Sequence, residues 1–460
     1  MKLTVYITNH NYGQYIKQSI ESVLNQNFTD FELLIIDDGS TDNSKEIIEE
    51  YRKQANVTII YQNKKGLNTT NNIALRAAKG EYIMRLDADD YLDTNALNAM
   101  VNYLNKNSKA ALVFPDYFMV DKDGKFLSVE RRHQDFNKSV TLQDQPAHGA
   151  CTMIRKKVMN EVGGYWEDFE CQDGYDIWLK ITKLYEVGNI NLPLFYYRQH
   201  GNNLTKNELK ILHTRHRMIE KSINESNNKK SSNGVAIIPM RGNIDGDCWE
   251  LKQIGNTTLI DLKLNEVLKA KRISEIIISS TDKKILDYVK NNYPKIHLDE
   301  RPEKYSYINT LLDETVDYIF SKYQQIFIDS DCIAILQIEN PFLKSFYIDK
   351  SINMTKLFNI DSLISVSQDN GIFFNHDGHG IIPFNNTSNL KLERDQVYRY
   401  VGGLKIVTKA FFEENKQIMG KRVGHILVDE LSSFTLESEL QWEIAKMILE
   451  SEILDKHNSF

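Results

Sequence analysis

The chain opens with short apolar runs alternating with longer amphipathic stretches. Leu3 to Thr8 is a β-rich run, and behind it Ile16, Ile20, Val23 and Leu24 recur at helical spacing. Phe31 to Ile36 is a continuous apolar run of buried-strand type. It ends abruptly in DDGSTDNS, which supplies N-cap candidates for a helix KEIIEEYRKQ. Val57 to Tyr61 predicts a third strand, followed by Gly66, a helix through Ala78, Gly80 and a fourth strand, EYIMRL. Strand and helix alternating in this rhythm predict a parallel sheet covered on both faces. Residues 224–233, NESNNKKSSN, are polar and aperiodic and predict a linker. VAIIP then restarts the alternation with helix DLKLNEVLKAKRI, strand EIIIS, helices KKILDYVKNNY and TVDYIFSKY, and strand QIFID. The C-terminal LESELQWEIAKMILESEIL predicts an amphipathic helix with Leu440, Ile444, Met447 and Ile448 on one face. The expected fold class is α/β, with two Rossmann-like domains at 1–223 and 234–460 joined by the linker 224–233.

Composition narrows what such a chain does. Its 460 residues are 41% hydrophobic and 10% aromatic, enough for sizeable cores and against wholesale disorder. Lys plus Arg total 56 against 63 Asp plus Glu, a net charge of −7, which argues against a protein held on nucleic acid by bulk charge. No run reaches the ~18 apolar residues of a membrane span, and MKLTVYITNHNYG does not read as a signal peptide. Cys151, Cys171, Cys248 and Cys332 are scattered, without a CxxC pair, and read as reduced thiols. The expected location is cytoplasmic, with room for peripheral contact at the inner membrane.

Three carboxylate clusters carry the candidate chemistry. Asp37 and Asp38 end the second strand, where ligands of open parallel sheets bind. A carboxylate there suits a ribose or a base N–H, and equally a helix N-cap. Asp87-Ala88-Asp89-Asp90 follows the fourth strand. Carboxylates at i and i+2 of a strand end point the same way and make a hard oxygen site suited to Mg²⁺ or Mn²⁺. Such a cation would neutralise charge growing on a diphosphate leaving group. In ECQDGYDIWLK, Asp173 and Asp176 sit at the start of a packed helix, placed for a general base or for the helix dipole. Downstream, Arg198 and His200 in YRQHGNN suit a diphosphate clamp and a metal ligand, or a purely structural role.

These motifs, in YITNHNYGQYIKQSIESVLNQNFTDFELLIIDDGSTD, GLNTTNNIALRAAKGEYIMRLDADDYLD, GGYWEDFECQDGYDIWLK and YYRQHGNNLT, make roughly the first 205 residues resemble the family 2 glycosyltransferases of GT-A fold. The resemblance implies inverting transfer from a nucleotide-diphosphate sugar to a hydroxyl acceptor, with a divalent metal. It implies that Asp38 contacts the nucleoside, with Thr8 and Asn9 near the base. Asp87 would lie by the ribose or metal, and Asp89 would bind the metal. Asp173 would be the base, and Arg198 and His200 would face the diphosphate, His200 as a further metal ligand. Where the family often has Glu-Asp, this chain reads Gln172-Asp173, and Asp176 stays a second candidate. His148 in PAHGAC falls where the family lines its acceptor pocket.

From residue 234 to about 450 the chain resembles the acylneuraminate (CMP-sialic acid) cytidylyltransferases, in GVAIIPMRGNIDGDCWELKQIGNTTLIDLKLNEVLKAKRISEIIISSTD, ERPEKY, ILQIENPFLKSFYIDKSI and VGHILVDELSSFTLESELQWEIA. Arg241 and Gly242 match that family's phosphate loop. Asp245 stands at its Lys position, however, Trp249 and Glu250 replace basic residues, and Thr435 and Glu437 replace paired metal-binding aspartates. Carboxylates beside a triphosphate repel it, so this half is expected not to make an activated sugar, and a homo-oligomer through it is a further expectation. The expected partners are therefore a nucleotide-diphosphate sugar and a glycan, lipid-linked or protein acceptor. The alternatives are a bifunctional enzyme that also forms a CMP-activated nonulosonic acid, and a non-catalytic sugar-nucleotide-binding scaffold.

Overall fold

The structure is a computed structural model. It describes residues 1–131, 149–169, 171–200, 208–225, 232–242, 248–307, 309–369, 371–376, 378–384, 397–451 and 454. His148 and Asp245 lie outside the described residues, as does 226–231 of the expected linker. Two compact units emerge: one holds the described residues up to 200 together with 372–384, the other those of 208–371 and from 397 onward.

The first unit begins with β1 (Leu3–Asn9), α1 (Gly13–Leu24), β2 (Phe31–Asp38), α2 (Ser44–Glu49), β3 (Val57–Gln62), α3 (Leu67–Ala77) and β4 (Tyr82–Asp87). It continues with β5 (Tyr91–Leu92), α4 (Ala96–Lys106), β6 (Ala110–Val120), β7 (Phe126–Glu130) and β8 (Met153–Arg155). Last come α5 (Lys156–Glu161), α6 (Asp173–Thr182) and β9 (Glu186–Arg198). The sheet order is β3-β2-β1-β4-β8-β6-β9-β5, with β7 on β6. β3, β2, β1 and β4 are parallel, and Thr8 of β1 sits in register with Ile36 of β2 and Asp87 of β4. Because β1 is flanked by β2 on one side and β4 on the other, the chain reverses its winding there. The crevice beyond the β1 and β4 carboxyl ends is therefore the ligand position of the fold.

Both faces of this sheet are dry. Leu3, Val5 and Ile7 pack with Ile16, Ile20 and Val23 of α1 and Leu97, Met100 and Leu104 of α4, all fully buried or nearly so. Tyr6, Leu34 and Ile36 point the other way, into Ala74 and Leu75 of α3 and Ile177, Trp178 and Ile181 of α6. The alternation along β1 is the period-two pattern of a strand covered on two sides. Pro193 within β9 is accommodated where the register to β6 shifts, between Pro115 and Asp116.

The second unit begins with α7 (Glu208–Glu225), which the sequence reading had placed at the end of the first domain. Its seven-stranded mixed sheet runs His297–Glu300, Ile273–Ser280, Gly234–Met240, Cys332–Leu336, Val397–Thr408, Ser362–Asp369 and Val423–Leu427. The first four of these strands are parallel, and Val397–Thr408 is antiparallel to both of its neighbours. QIFID, expected as a strand, is instead a 3₁₀ turn over Gln324–Phe327, and the strand follows at Cys332–Leu336. Phe327 enters the core while Ile328 is 68% exposed, so the run cannot be a buried strand, whereas CIAIL is buried at every position. The C-terminal helix Glu439–Leu449 packs through Trp442 and Ala445, and Leu440 and Met447 of the expected apolar face point outward.

Candidate active site

Each candidate carboxylate of the first unit lies where a strand or helix begins or ends. At the end of β1, the Asn9 amide donates to Asp37 (2.8 Å) and to Ser40 (3.0 Å). Its Oδ1 is buried without a hydrogen-bond partner among the described residues. Thr8, half-buried, precedes it. Both Asp38 oxygens hold the turn ahead of α3, accepting from Gln62 (2.8 Å), the Lys65 amide (2.7 Å) and the Gly66 amide (2.9 Å). Gly39 has φ +74°, and a Cβ there would stand 2.7 Å from the Lys64 amide, so only glycine lets the two turns approach.

Beyond β4, Asp87 and Asp89 lie close enough to interact electrostatically. Asp89 Oδ2 lies 2.8 Å from His200 Nε2. The His200 ring stacks on Tyr15 and meets Tyr12 edge-on, both at 5.7 Å. Burial pushes the Asp87 carboxyl up to about 6, with Asp89 and Asp173 adding to the rise and Arg85 opposing it. Asp90 is also raised, by burial and by Asp89 and Asp87, although one oxygen accepts the Arg198 amide (2.9 Å). Its other oxygen has no hydrogen-bond partner among the described residues.

Arg198 sits differently from its expected place. Its guanidinium donates to the Asp89 carbonyl (2.8 Å), the Lys122 carbonyl (3.0 Å) and Gln18 Oε1 (2.6 Å), and lies 4.6 Å from the Tyr15 ring centre. It is 2% exposed and ties the Asp89 loop to β9 and α1.

The two helix carboxylates separate in role. Asp173 opens α6 directly after Gln172, a non-glycine residue at φ +65°, a strained conformation of the kind functional sites hold. Asp173 Oδ2 pairs with Arg85 Nη1 and also accepts from Asn71 (3.4 Å). Asp176 is fully buried, pairs with Lys180 (2.8 Å) and accepts the Trp166 amide (2.6 Å). Burial lifts its carboxyl to about 6, with Lys180 opposing. Asp176 thus holds the 164–166 turn, and Asp173 faces the carboxylates of β4.

Arg85 is the residue that sequence reasoning passed over. It is 5% exposed on β4, and its Nε stands 2.9 Å from Asp87 while its Nη1 meets Asp173. A lone arginine inside the apolar run EYIMRL was the available signal, because a buried guanidinium demands a carboxylate partner.

Among the described residues, no group of three or more His, Cys, Asp or Glu side chains is arranged to hold a metal ion unaided. The donor chemistry nevertheless fits a hard divalent cation. Asp87, Asp89 and Asp90 crowd negative charge, one Asp90 oxygen is unpartnered, and the His200 imidazole adjoins Asp89. Such an ion would draw its remaining ligands from water and from a substrate's phosphate oxygens.

Residues 4–163 match the model of the family described as Glycosyl transferase family 2. Chondroitin synthase of Escherichia coli is 30% identical over 225 residues, 49% of this chain and 32% of that protein. UDP-Glc:alpha-D-GlcNAc-diphosphoundecaprenol beta-1,3-glucosyltransferase WfaP, also of Escherichia coli, is 29% identical over 214 residues, 46% of this chain and 82% of that protein. Among solved structures, S. aureus TarS 1-349 in complex with UDP-GlcNAc aligns with a TM-score of 0.41 at 19% identity, over 50% of this chain and 68% of that one. The chain spans about a third of the length of the chondroitin synthase that it matches. The stretch that matches the glycosyl transferase family 2 model, residues 4–163, contains β1 to β8 with Asp38, Asp87 and Asp89.

Proposed function

We propose that this chain is an inverting glycosyltransferase that moves a sugar from a nucleotide-diphosphate donor to a hydroxyl of a glycan, lipid-linked or protein acceptor. The observation that carries the reading is the meeting of Asp173, at the start of α6, with the Asp87–Asp89 end of β4 at the fold's ligand crevice. A carboxylate for the acceptor proton and a cluster for the diphosphate then flank one space.

The residues divide the work as follows. The orphaned Asn9 Oδ1 is placed to accept an N–H from the donor's base, and Asp38 shapes the nucleoside side through the turn that it holds at Lys65 and Gly66. Asp87 lies at the ribose end, while Asp89 and His200 would hold Mn²⁺ or Mg²⁺. That ion supplies charge neutralisation to the departing diphosphate. With Arg198 engaged on the Asp89 loop, the diphosphate faces His200 across Asp89. Asp173 takes the acceptor's proton as the acceptor oxygen bonds to the anomeric carbon. The bond from that carbon to the diphosphate breaks on the opposite face, and its electron pair leaves with the nucleoside diphosphate. A single displacement of this kind inverts the anomeric configuration.

For the second unit we propose a cytidylyltransferase-like fold without that chemistry. The Gly242 amide, which a phosphate cradle would leave for its ligand, donates to the buried Glu250 carboxylate (3.0 Å). Thr435, at a position where the resembling family has a metal-binding aspartate, accepts from Asn340 (3.1 Å). Incubation with CTP and a nonulosonic acid is expected to yield no CMP-sugar, and robust formation would overturn this part. The transferase is tested by release of nucleoside diphosphate from a donor panel that starts with UDP-glucose, the donor in a relative's name. Turnover by wild type and its loss in Asp89→Ala support the enzyme, and equal activity of the two would refute it.

A further inference from the structure

Arg85 joins the two sides of the site, and the way it does so leaves one atom of Asp173 open. Nη2 donates to Asp87 Oδ2 (3.4 Å), Nε lies 2.9 Å from Asp87 Oδ1 as an ion pair without a hydrogen bond, and Nη1 meets Asp173 Oδ2. The Asn71 amide reaches the same Oδ2 at 3.4 Å. Among the described residues, no hydrogen bond is made to Asp173 Oδ1. The carboxylate is held by one oxygen and offers the other. The backbone makes room for this arrangement at Gly149, where a Cβ would stand 2.8 Å from Arg85 Nη2 and 3.1 Å from Asp173 Oδ2. The Arg85 carbonyl also accepts the Cys151 amide (2.8 Å), so the segment after Gly149 is fastened to the same strand.

We propose that Arg85 is the positioning residue of the transfer reaction. Resting on the glycosyltransferase reading above, it fixes Asp173 through Oδ2, with Asn71 and the gap at Gly149, so that Oδ1 meets the acceptor hydroxyl. Its second arm, on Asp87, orients the guanidinium for this contact. A planar guanidinium does this because its fork fixes two carboxylates at once, which an ammonium, a point charge on a flexible stem, does not.

The test is a double-mutant cycle on the full chain, reading nucleoside diphosphate release from the donor that wild type turns over. Arg85→Met is expected to lower kcat by roughly 10²-fold, the lower end of what a positioned base contributes, with donor KM changed less than threefold. Because Arg85 acts through Asp173, Arg85→Met combined with Asp173→Asn should be no slower than Asp173→Asn alone. Arg85→Lys should recover little of the loss. Methylguanidinium added to Arg85→Ala should restore at least tenfold, a response that a merely structural role would not give. Gly149→Ala, which keeps every charge, should lower kcat in the same way if the arginine variants fold poorly. Losses that multiply in the double variant, or wild-type kcat in both Arg85→Met and Gly149→Ala, would overturn the proposal. Wild-type turnover by Asp173→Asn would overturn the base assignment as well, so the two failures are distinguishable.

Discussion

At the scale of single residues, the site was legible wherever chemistry and position coincide. Asp87 and Asp89 end an apolar strand in a two-residue step, and Asp173 opens a helix. The structure pairs Asp87 and Asp173 through Arg85 and sets Asp89 against His200. What could not be read were the roles that depend on partners distant in sequence. Arg198 looked like a phosphate clamp until its guanidinium was seen on two loop carbonyls and Gln18. Asp176 is a second candidate beside Asp173 in the sequence, and its contacts with the Trp166 turn and Lys180 set it apart. Asp89→Ala is expected to reduce donor turnover by about 10²–10³-fold, the scale of removing one electrostatic stabiliser of a leaving group. Its thermal unfolding should stay near wild type, because the Asp89 side chain holds His200 and no core element. Parallel turnover and unfolding measurements check both halves of that expectation.

Secondary-structure elements followed the hydrophobic pattern closely where one continuous apolar run or a clean helical stripe exists, as in β1, β2 and α1. They departed from it where aromatic anchors override the stripe. The C-terminal helix is the case in point. Leu440, Ile444 and Met447 share a face, yet Trp442 is the side chain that packs, edge-on to Trp249 at 5.5 Å with Lys252 above it. Trp442→Ala should therefore destabilise the second unit by about 3–5 kcal/mol, while Leu440→Ser should change it by less than about 0.5 kcal/mol. Chemical denaturation of both variants decides which face matters.

The helix α7 carries a pH dependence of its own. His216 is 5% exposed beside Phe346, and burial, with His213, Lys350, Lys271 and Arg272 nearby, lowers it to about 3. Glu220, 3.5 Å away, faces it from the same helix. An unfolded histidine titrates near 6.5, so between that value and 3 the unfolded chain binds more protons and stability falls as pH falls. Wild type should lose about 2 kcal/mol between pH 7 and pH 5 through this group. His216→Leu should lack that part of the slope, as unfolding titrations at the two pH values will show.

At the scale of the whole molecule, the sequence showed two α/β units because the strand–helix rhythm stops and restarts around a polar stretch. It did not show on which side of that stretch α7 packs, since an amphipathic helix does not say which core receives it. Residues 4–163 match the family 2 model, and the chain beyond them supplies α6 with Asp173 and β9 leading to His200. The candidate site is thus completed by elements outside the matched stretch, which makes the joint action of Asp89 and Asp173 the central claim. No helix among the described residues is long and apolar enough to cross a membrane. The most direct measurement is calorimetric binding of UDP, GDP and dTDP to the full chain with Mn²⁺ or with EDTA, in wild type and Asp89→Ala. The account predicts that one diphosphate binds wild type only when the metal is present and fails to bind the variant. Binding of none of them, or equal binding without metal and without Asp89, would contradict it.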